Sequence, residues 1–144
     1  MKVVVQRALD ASVTVDEKTT GKIDKGLLLL VGFTSTDTSK EIDWMVQKIL
    51  NLRIFDDENG IMNLSVQDVK GKILSISQFT LYADTHKGNR PSYVKALGGT
   101  EASKLYDLFN KKLGEHIHVE TGIFGADMEV TLTNMGPTTI MLEK

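Results

Sequence analysis

Lys2-Val3-Val4-Val5-Gln6-Arg7-Ala8-Leu9, followed by Ser12-Val13-Thr14-Val15, opens the chain with apolar and polar residues in alternation and decides its fold class. A period of two places successive side chains on opposite faces of a strand, so both segments read as strands with one buried face. Working outward, Leu27 to Phe33 is β-rich and apolar behind Gly26, the pattern of a buried strand. An antiparallel opening follows from these short-range neighbours. Thr38-Ser39-Lys40-Glu41 then fits a capping box, and Ile42, Met45, Val46, Ile49 and Leu52 recur at helical spacing. The stripe predicts a helix that packs on the sheet.

Further along, Arg53-Ile54-Phe55 and Ile61-Met62-Asn63-Leu64 flank Asp56 to Gly60, and its Asn59-Gly60 pair suits the positive φ of a hairpin turn. Lys72 to Thr80 reads as another strand and Tyr82 to Ser92 as a polar loop. Thr100 is placed to cap a second helix with Leu105, Leu108, Phe109 and Leu113 on its apolar face and Gly114 as its stop. His116 to Thr121, Met128 to Thr133 and Thr138 to Leu142 read as three more strands. The expectation is a single α/β domain over residues 1–144: a strongly curved, mostly antiparallel, partly closed and barrel-like sheet with two packed helices.

Composition bounds the chemistry. The 144 residues suit one domain, with 41% apolar and 25% charged residues, which argues against disorder. No apolar run approaches the roughly 20 residues that span a bilayer, and the N-terminus lacks a signal-peptide core, so a cytoplasmic protein without a membrane partner is expected. Cysteine is absent, which removes thiolate nucleophiles and cysteine metal sites. The net charge of −2 argues against a protein that wraps long nucleic acid, DNA included, and leaves room for a local contact.

Two segments break their local pattern. Ile73, Leu74 and Ile76 give way to Ser77-Gln78-Phe79-Thr80-Leu81, either a strand with one wet face or a binding edge. Asn134-Met135-Gly136-Pro137-Thr138-Thr139 lies between two strand-like runs. It is either a turn or a place where slim glycine and donor-less proline let the backbone approach a ligand. His116 and His118, two apart, are a candidate metal pair or, more simply, surface residues; no metal and no cofactor is expected. His86, Lys87 and Arg90 lie in the polar loop, which is either a solvated turn or a phosphate contact at an RNA end. No phosphate-binding glycine loop, HExxH or GxSxG occurs, and Thr80 has no neighbouring base to activate it.

Ser77-Gln78-Phe79-Thr80-Leu81-Tyr82-Ala83-Asp84-Thr85, with Lys87-Gly88-Asn89-Arg90-Pro91-Ser92 after it, resembles the signature of the D-aminoacyl-tRNA deacylases. Asn134-Met135-Gly136-Pro137-Thr138-Thr139 is similar to their second motif. The likeness extends to Val4 to Arg7, Ala11 to Val13, Lys48 to Phe55, Met62 to Ser65 and Phe124 to Met128. It implies hydrolysis of D-aminoacyl-tRNA, with mischarged glycyl-tRNA a further candidate. It also implies a homodimer in which a cis Gly136–Pro137 of one subunit enters the site of the other. There the carbonyls of the pair would meet the substrate's α-amino group, and the close backbone would exclude an L side chain. Ser77, Gln78, Phe79 and Thr80 would hold the terminal adenosine and the ester carbonyl, with the tRNA's own 2′-hydroxyl assisting. Met135 and Thr138 depart from the family's usual residues. Two other functions compete: a non-enzymatic module for RNA 3′ ends, and a general esterase acting through Thr80.

Overall fold

The computed structural model describes residues 1–144. Strands β1 (Lys2–Val15) and β2 (Lys18–Gly32) form a long antiparallel hairpin. Helix α1 (Ser39–Asn51) follows, and then the small hairpin of β3 (Phe55–Asp56) and β4 (Met62–Leu64). Strand β5 (Lys72–Ser77), a 3-10 turn over Phe79–Tyr82, helix α2 (Gly99–Gly114), β6 (Val119–Thr121) and β7 (Glu129–Glu143) complete the chain. The main sheet has the order β6-β5-β2-β1-β7.

The sequence grammar explains α1 directly. Thr38 receives the Lys40 N–H, and Glu41 turns back to accept the Thr38 N–H at 2.7 Å. Losing such a cap costs about 1 kcal/mol. Ile42, Met45, Val46 and Ile49 then enter the larger core cluster with Val3, Val5, Leu27, Leu29 and Phe109. Both helices therefore cover one face of the sheet. On the other face Ala8, Ala11, Val13, Ile23, Leu28, Leu74 and Ile76 form a smaller cluster, against which Val130 and Leu132 of β7 pack. Residues of β5 and β7 meet there although two strands lie between them, so the sheet is strongly curled.

Several expectations need correction. The sheet is open and mixed, neither barrel-closed nor mostly antiparallel: β1 pairs antiparallel with β2 and β7, while β2–β5 and β5–β6 are parallel. Hydrophobic periodicity marks a strand but not its partner, and the crossovers through α1 and α2 bring β5 and β6 back in the same direction. The opening strand is continuous from Lys2 to Val15, with Asp10 at φ 48° absorbing the polar break. Helix α2 starts from Gly98, and Thr100 makes no cap. His116 and Ile117 are not strand, because their N–H groups close on the Leu113 carbonyl at 3.0 and 3.1 Å.

The strand predicted through Thr80 ends at Ser77, and Phe79 to Tyr82 turn away as the 3-10 helix. The Asn134–Thr139 segment is no turn: β7 runs straight through it, with the Gly136–Pro137 peptide cis. Side chains substitute for the ladder that proline interrupts. The Asn134 Oδ1 accepts the Thr138 N–H at 2.9 Å, and Thr139 Oγ1 accepts from Asn134 Nδ2 and Gln6 Nε2. The pairing with β1 shifts register between Gln6 and Ala8 to accommodate it.

Candidate functional site

Three parallel strands, β2, β5 and β6, point their carboxyl ends at the same rim of the sheet. In open α/β sheets ligands settle in the crevice beyond the carboxyl ends of parallel strands. A cavity of about 530 Å³ lies there. Ser77, Gln78 and Phe79 form one wall, and the loop after β6, with Phe124 and Met128, forms another. Beneath it the buried Tyr106 donates to the Ser75 carbonyl at 2.7 Å and packs on Phe124 with ring centroids 5.8 Å apart. Helix α2 is thereby tied to β5 and to the cavity wall at one point.

The hydrogen bonds along the motif set its chemistry. The Gln78 N–H is taken by the Val31 carbonyl at 2.7 Å, which fixes the strand end. The next amides, of Phe79 and Thr80, begin a 3-10 turn and have no carbonyl of their own helix to serve. Of these two residues, Phe79 lines the cavity. Thr80 itself stands outside the cavity wall, and its Oγ1 accepts from Gln78 Nε2 at 2.5 Å. That contact orients the hydroxyl and supplies no base. His86, which could have been one, is engaged with Asp84 through both its N–H and its Nδ1.

The polar loop is built, not slack. Asp84 and Ser92 exchange two backbone hydrogen bonds at 2.8 and 2.9 Å, so the intervening residues project as one closed tip. The His86 N–H and ring on Asp84, with Lys95 nearby, hold its carboxyl down at about 2. His86, Lys87 and Arg90 are all exposed on that tip. Lys87 and Arg90 make no ion pair.

The second motif is elsewhere. Gly136 and Pro137 lie on β7, separated from β5 by β2 and β1, three strand spacings of about 4.8 Å each. Met135 borders a different, smaller cavity of about 310 Å³ with Arg7, Lys25, Phe55 and Asp56, and the neighbouring Gly136 and Pro137 are exposed. Thus within one chain Ser77, Gln78 and Phe79 come together with the large cavity, while Asn134, Met135, Gly136, Pro137 and Thr139 do not join them. Gly136 has φ +119°, and a Cβ there would meet Thr138 Oγ1 at 2.7 Å. That position admits glycine alone without strain.

Three residues, Arg7, Phe124 and Met128, were not among the site residues expected from the sequence. Arg7 donates from Nη1 to the Ile54 carbonyl at 3.1 Å and to Asp56 at 3.2 Å, and its Nη2 lies 3.5 Å from the place a Gly136 Cβ would take. Phe124 and Met128 wall the cavity. An arginine in an alternating strand carries no such signal, although Phe124-Gly125, with Gly125 at φ 77°, marks a loop next to a strand end.

No metal-ligating cluster gathers His116 or His118; the latter pairs with Glu120 at 2.7 Å. The fold and cavity define a small α/β domain with a cavity at the carboxyl rim of a mixed sheet, bordered by the start of a 3-10 turn and without a catalytic triad. The chain belongs to the D-Tyr-tRNA(Tyr) deacylase family, whose model matches residues 4–143. A solved structure described as the c-Myc DNA unwinding element binding protein is 42% identical, with 100% of this chain and 99% of that one covered and a TM-score of 0.95. A probable eukaryotic D-amino acid tRNA deacylase, 18% identical, shares the fold at TM-score 0.83 over 98% of this chain and 97% of its own. The family is one of hydrolases acting on D-aminoacyl-tRNA.

Proposed function

We propose that this protein hydrolyses the ester between a D-amino acid and the 3′ end of tRNA, as a homodimer in which Gly136–Pro137 of one protomer closes the large cavity of its partner. One observation carries the reading. The two motif segments sit on separate strands and border separate cavities, yet Gly136 and Pro137 are exposed on β7, an edge strand with exposed Met135 and Met141. A long edge strand is a template for a second chain, and a two-fold contact would present each pair to the other subunit.

In this mechanism the terminal adenosine enters the cavity between Ser77–Phe79 and Phe124. The ester carbonyl faces the amides of Phe79 and Thr80, which stabilise the oxyanion as water adds to the carbonyl carbon. The tRNA 2′-hydroxyl assists the water, and the 3′-oxygen leaves with a proton. Thr80, tethered to Gln78, positions and does not attack. The main-chain carbonyls of Gly136 and Pro137 receive the α-amino group and leave no space for an L side chain, with Asn134 and Thr139 holding the pair in shape. A clash rejects a wrong ligand more strongly than a missing contact does. His86, Lys87 and Arg90 meet RNA phosphates, and the work is done in the cytoplasm.

The Thr80 esterase is disfavoured by the donor, rather than base, that Thr80 faces. DNA binding of the kind named in the 42% identical relative has less support here, because the net charge is −2 and the unpaired loop cations are few. The test is deacylation of matched D- and L-tyrosyl-tRNA, with and without the terminal 2′-hydroxyl. Hydrolysis of the D form alone, lost with the 2′-deoxy end, is the expected outcome. Equal turnover of both enantiomers would refute the sieve, and binding without turnover would leave a non-enzymatic RNA module.

A further inference from the structure

Beside the large cavity the ring of Phe79 meets Tyr93, a residue that the proposed hydrolysis does not use. The rings of Phe79 and Tyr93 meet edge to face, with centroids 5.0 Å apart at 67°. Both are exposed, Phe79 by 56% and Tyr93 by 39%, and the neighbouring Val94 is exposed by 91%. Phe79 also lines the cavity, so the pair begins where the cavity ends.

The platform is anchored on both sides. The double bond pair of Asp84 and Ser92 closes the loop immediately before Tyr93, and the Tyr93 carbonyl accepts the Ala96 N–H at 3.0 Å. Thr34 Oγ1 donates to the Lys95 carbonyl at 2.6 Å, and the Leu97 N–H reaches the Phe33 carbonyl at 2.9 Å. A ring held this firmly loses little freedom on contact. The loop that carries Tyr93 is cationic: no acidic residue occurs from Thr85 to Thr100, while Lys87 and Arg90 remain unpaired and Asp84 is occupied by His86 and Lys95; Asp127 is the acidic residue that lines the cavity itself. Fixed aromatic faces beside unpaired cations suit single-stranded nucleic acid, whose bases stack and whose phosphates carry the charge. A second copy seated symmetrically here would bring the same cations face to face.

We infer that the Phe79–Tyr93 pair is a stacking subsite for the base of the penultimate nucleotide at the RNA 3′ end, continuous with the cavity that takes the terminal one. This rests on the proposed function. It gives the protein a grip on RNA beyond the terminal nucleoside that is independent of base identity, because every base has a stacking face.

The test uses the full chain and an unacylated RNA minihelix ending in CCA, with the fluorescent base 2-aminopurine at either the penultimate or the terminal position. Stacking quenches the penultimate probe in the unmodified protein. Tyr93→Ala abolishes that quench and weakens binding about 5- to 10-fold, the low end expected for one stacked base. Tyr93→Phe keeps both, and thermal melting of both variants reports folding. An unchanged penultimate signal and affinity in Tyr93→Ala overturns the subsite, as does a penultimate probe that never responds while the terminal one does. A change in sedimentation for Tyr93→Ala and Val94→Asp alike also overturns it, by assigning the face to a second copy. A terminal probe that does not respond in the unmodified protein counts instead against the proposed function.

Discussion

Ser77–Thr80 and Asn134–Thr139 are both departures from strand grammar, yet they occupy opposite situations. The first lies where parallel strands end, beside a cavity, with the Gln78 N–H held by the Val31 carbonyl and the side chains of Gln78 and Thr80 bonded to each other. The second lies in the middle of an exposed edge strand, where Asn134, Gln6 and Thr139 expend their side-chain hydrogen bonds on holding the backbone in shape. One region walls the large cavity; the other is a shaped, exposed piece of edge strand that does not reach it. The difference teaches that rigidity can be built for export: the effort spent on Gly136–Pro137 makes sense if a neighbouring subunit receives it.

The comparison breaks most visibly at Gly136. An alanine there would need φ near +119° and a Cβ only 2.7 Å from Thr138 Oγ1. Strain of this kind costs about 1–3 kcal/mol. Gly136→Ala is expected to lower the urea midpoint accordingly while deacylation of D-tyrosyl-tRNA falls by about a hundredfold or more, roughly 2.7 kcal/mol in the barrier. Loss of activity no greater than the loss of folded protein would show that the segment is merely structural. The next largest effect is Arg7→Ala. Arg7 ties the small hairpin to β1 beneath Gly136, and hydrogen bonds to charged groups are worth about 1.5–3 kcal/mol. Urea unfolding should register that loss, and D-over-L discrimination should narrow with it; intact discrimination in a destabilised variant would separate Arg7 from the motif.

The Ser77–Thr80 segment answers to a different change. If the amides of Phe79 and Thr80 hold the oxyanion, then Thr80→Ala removes only a tether to Gln78 and should cost about tenfold or less in kcat. Complete loss of turnover in a folded Thr80→Ala protein would restore the threonine nucleophile.

How much of this could be seen in the chain alone follows the same divide. The start and buried face of helix α1 were legible, because a capping box and a 3.6-residue stripe are local signals, although Leu52 of that stripe falls just past the helix as its extended C-cap. Both motif segments were legible as anomalies, and their residues as a family likeness. The strand end at Ser77 was not, since Phe79 and Leu81 continue an apolar rhythm that the 3-10 turn spends differently. Nor was the passage of β7 through Pro137, because the missing ladder bond is replaced by Asn134, a substitution visible only in three dimensions. Parallel pairing of β2 with β5 depends on a crossover of some forty residues, which no periodicity encodes. The cavity wall at Phe124 and the role of Arg7 likewise depend on contacts far apart in sequence.

The smallest expected effect concerns the loop after the Ser77–Thr80 segment, which has no counterpart beside Gly136–Pro137. Asp84 has a carboxyl held at about 2, below the ordinary 3.8, because its charged form accepts the His86 N–H and ring and lies near Lys95. A depressed folded-state value means that the ordering contributed by this carboxylate is complete above about pH 4 and is lost as pH falls through about 2. The side chain is solvent-exposed enough for salt to weaken the effect. NMR titration of the Asp84 carboxyl should therefore give a midpoint near 2, with the His86 amide shift following the same curve. A midpoint near the ordinary 3.8 would mean that His86 swings free of Asp84, and the loop tip carrying Lys87 and Arg90 would then be ordered by Ser92 alone.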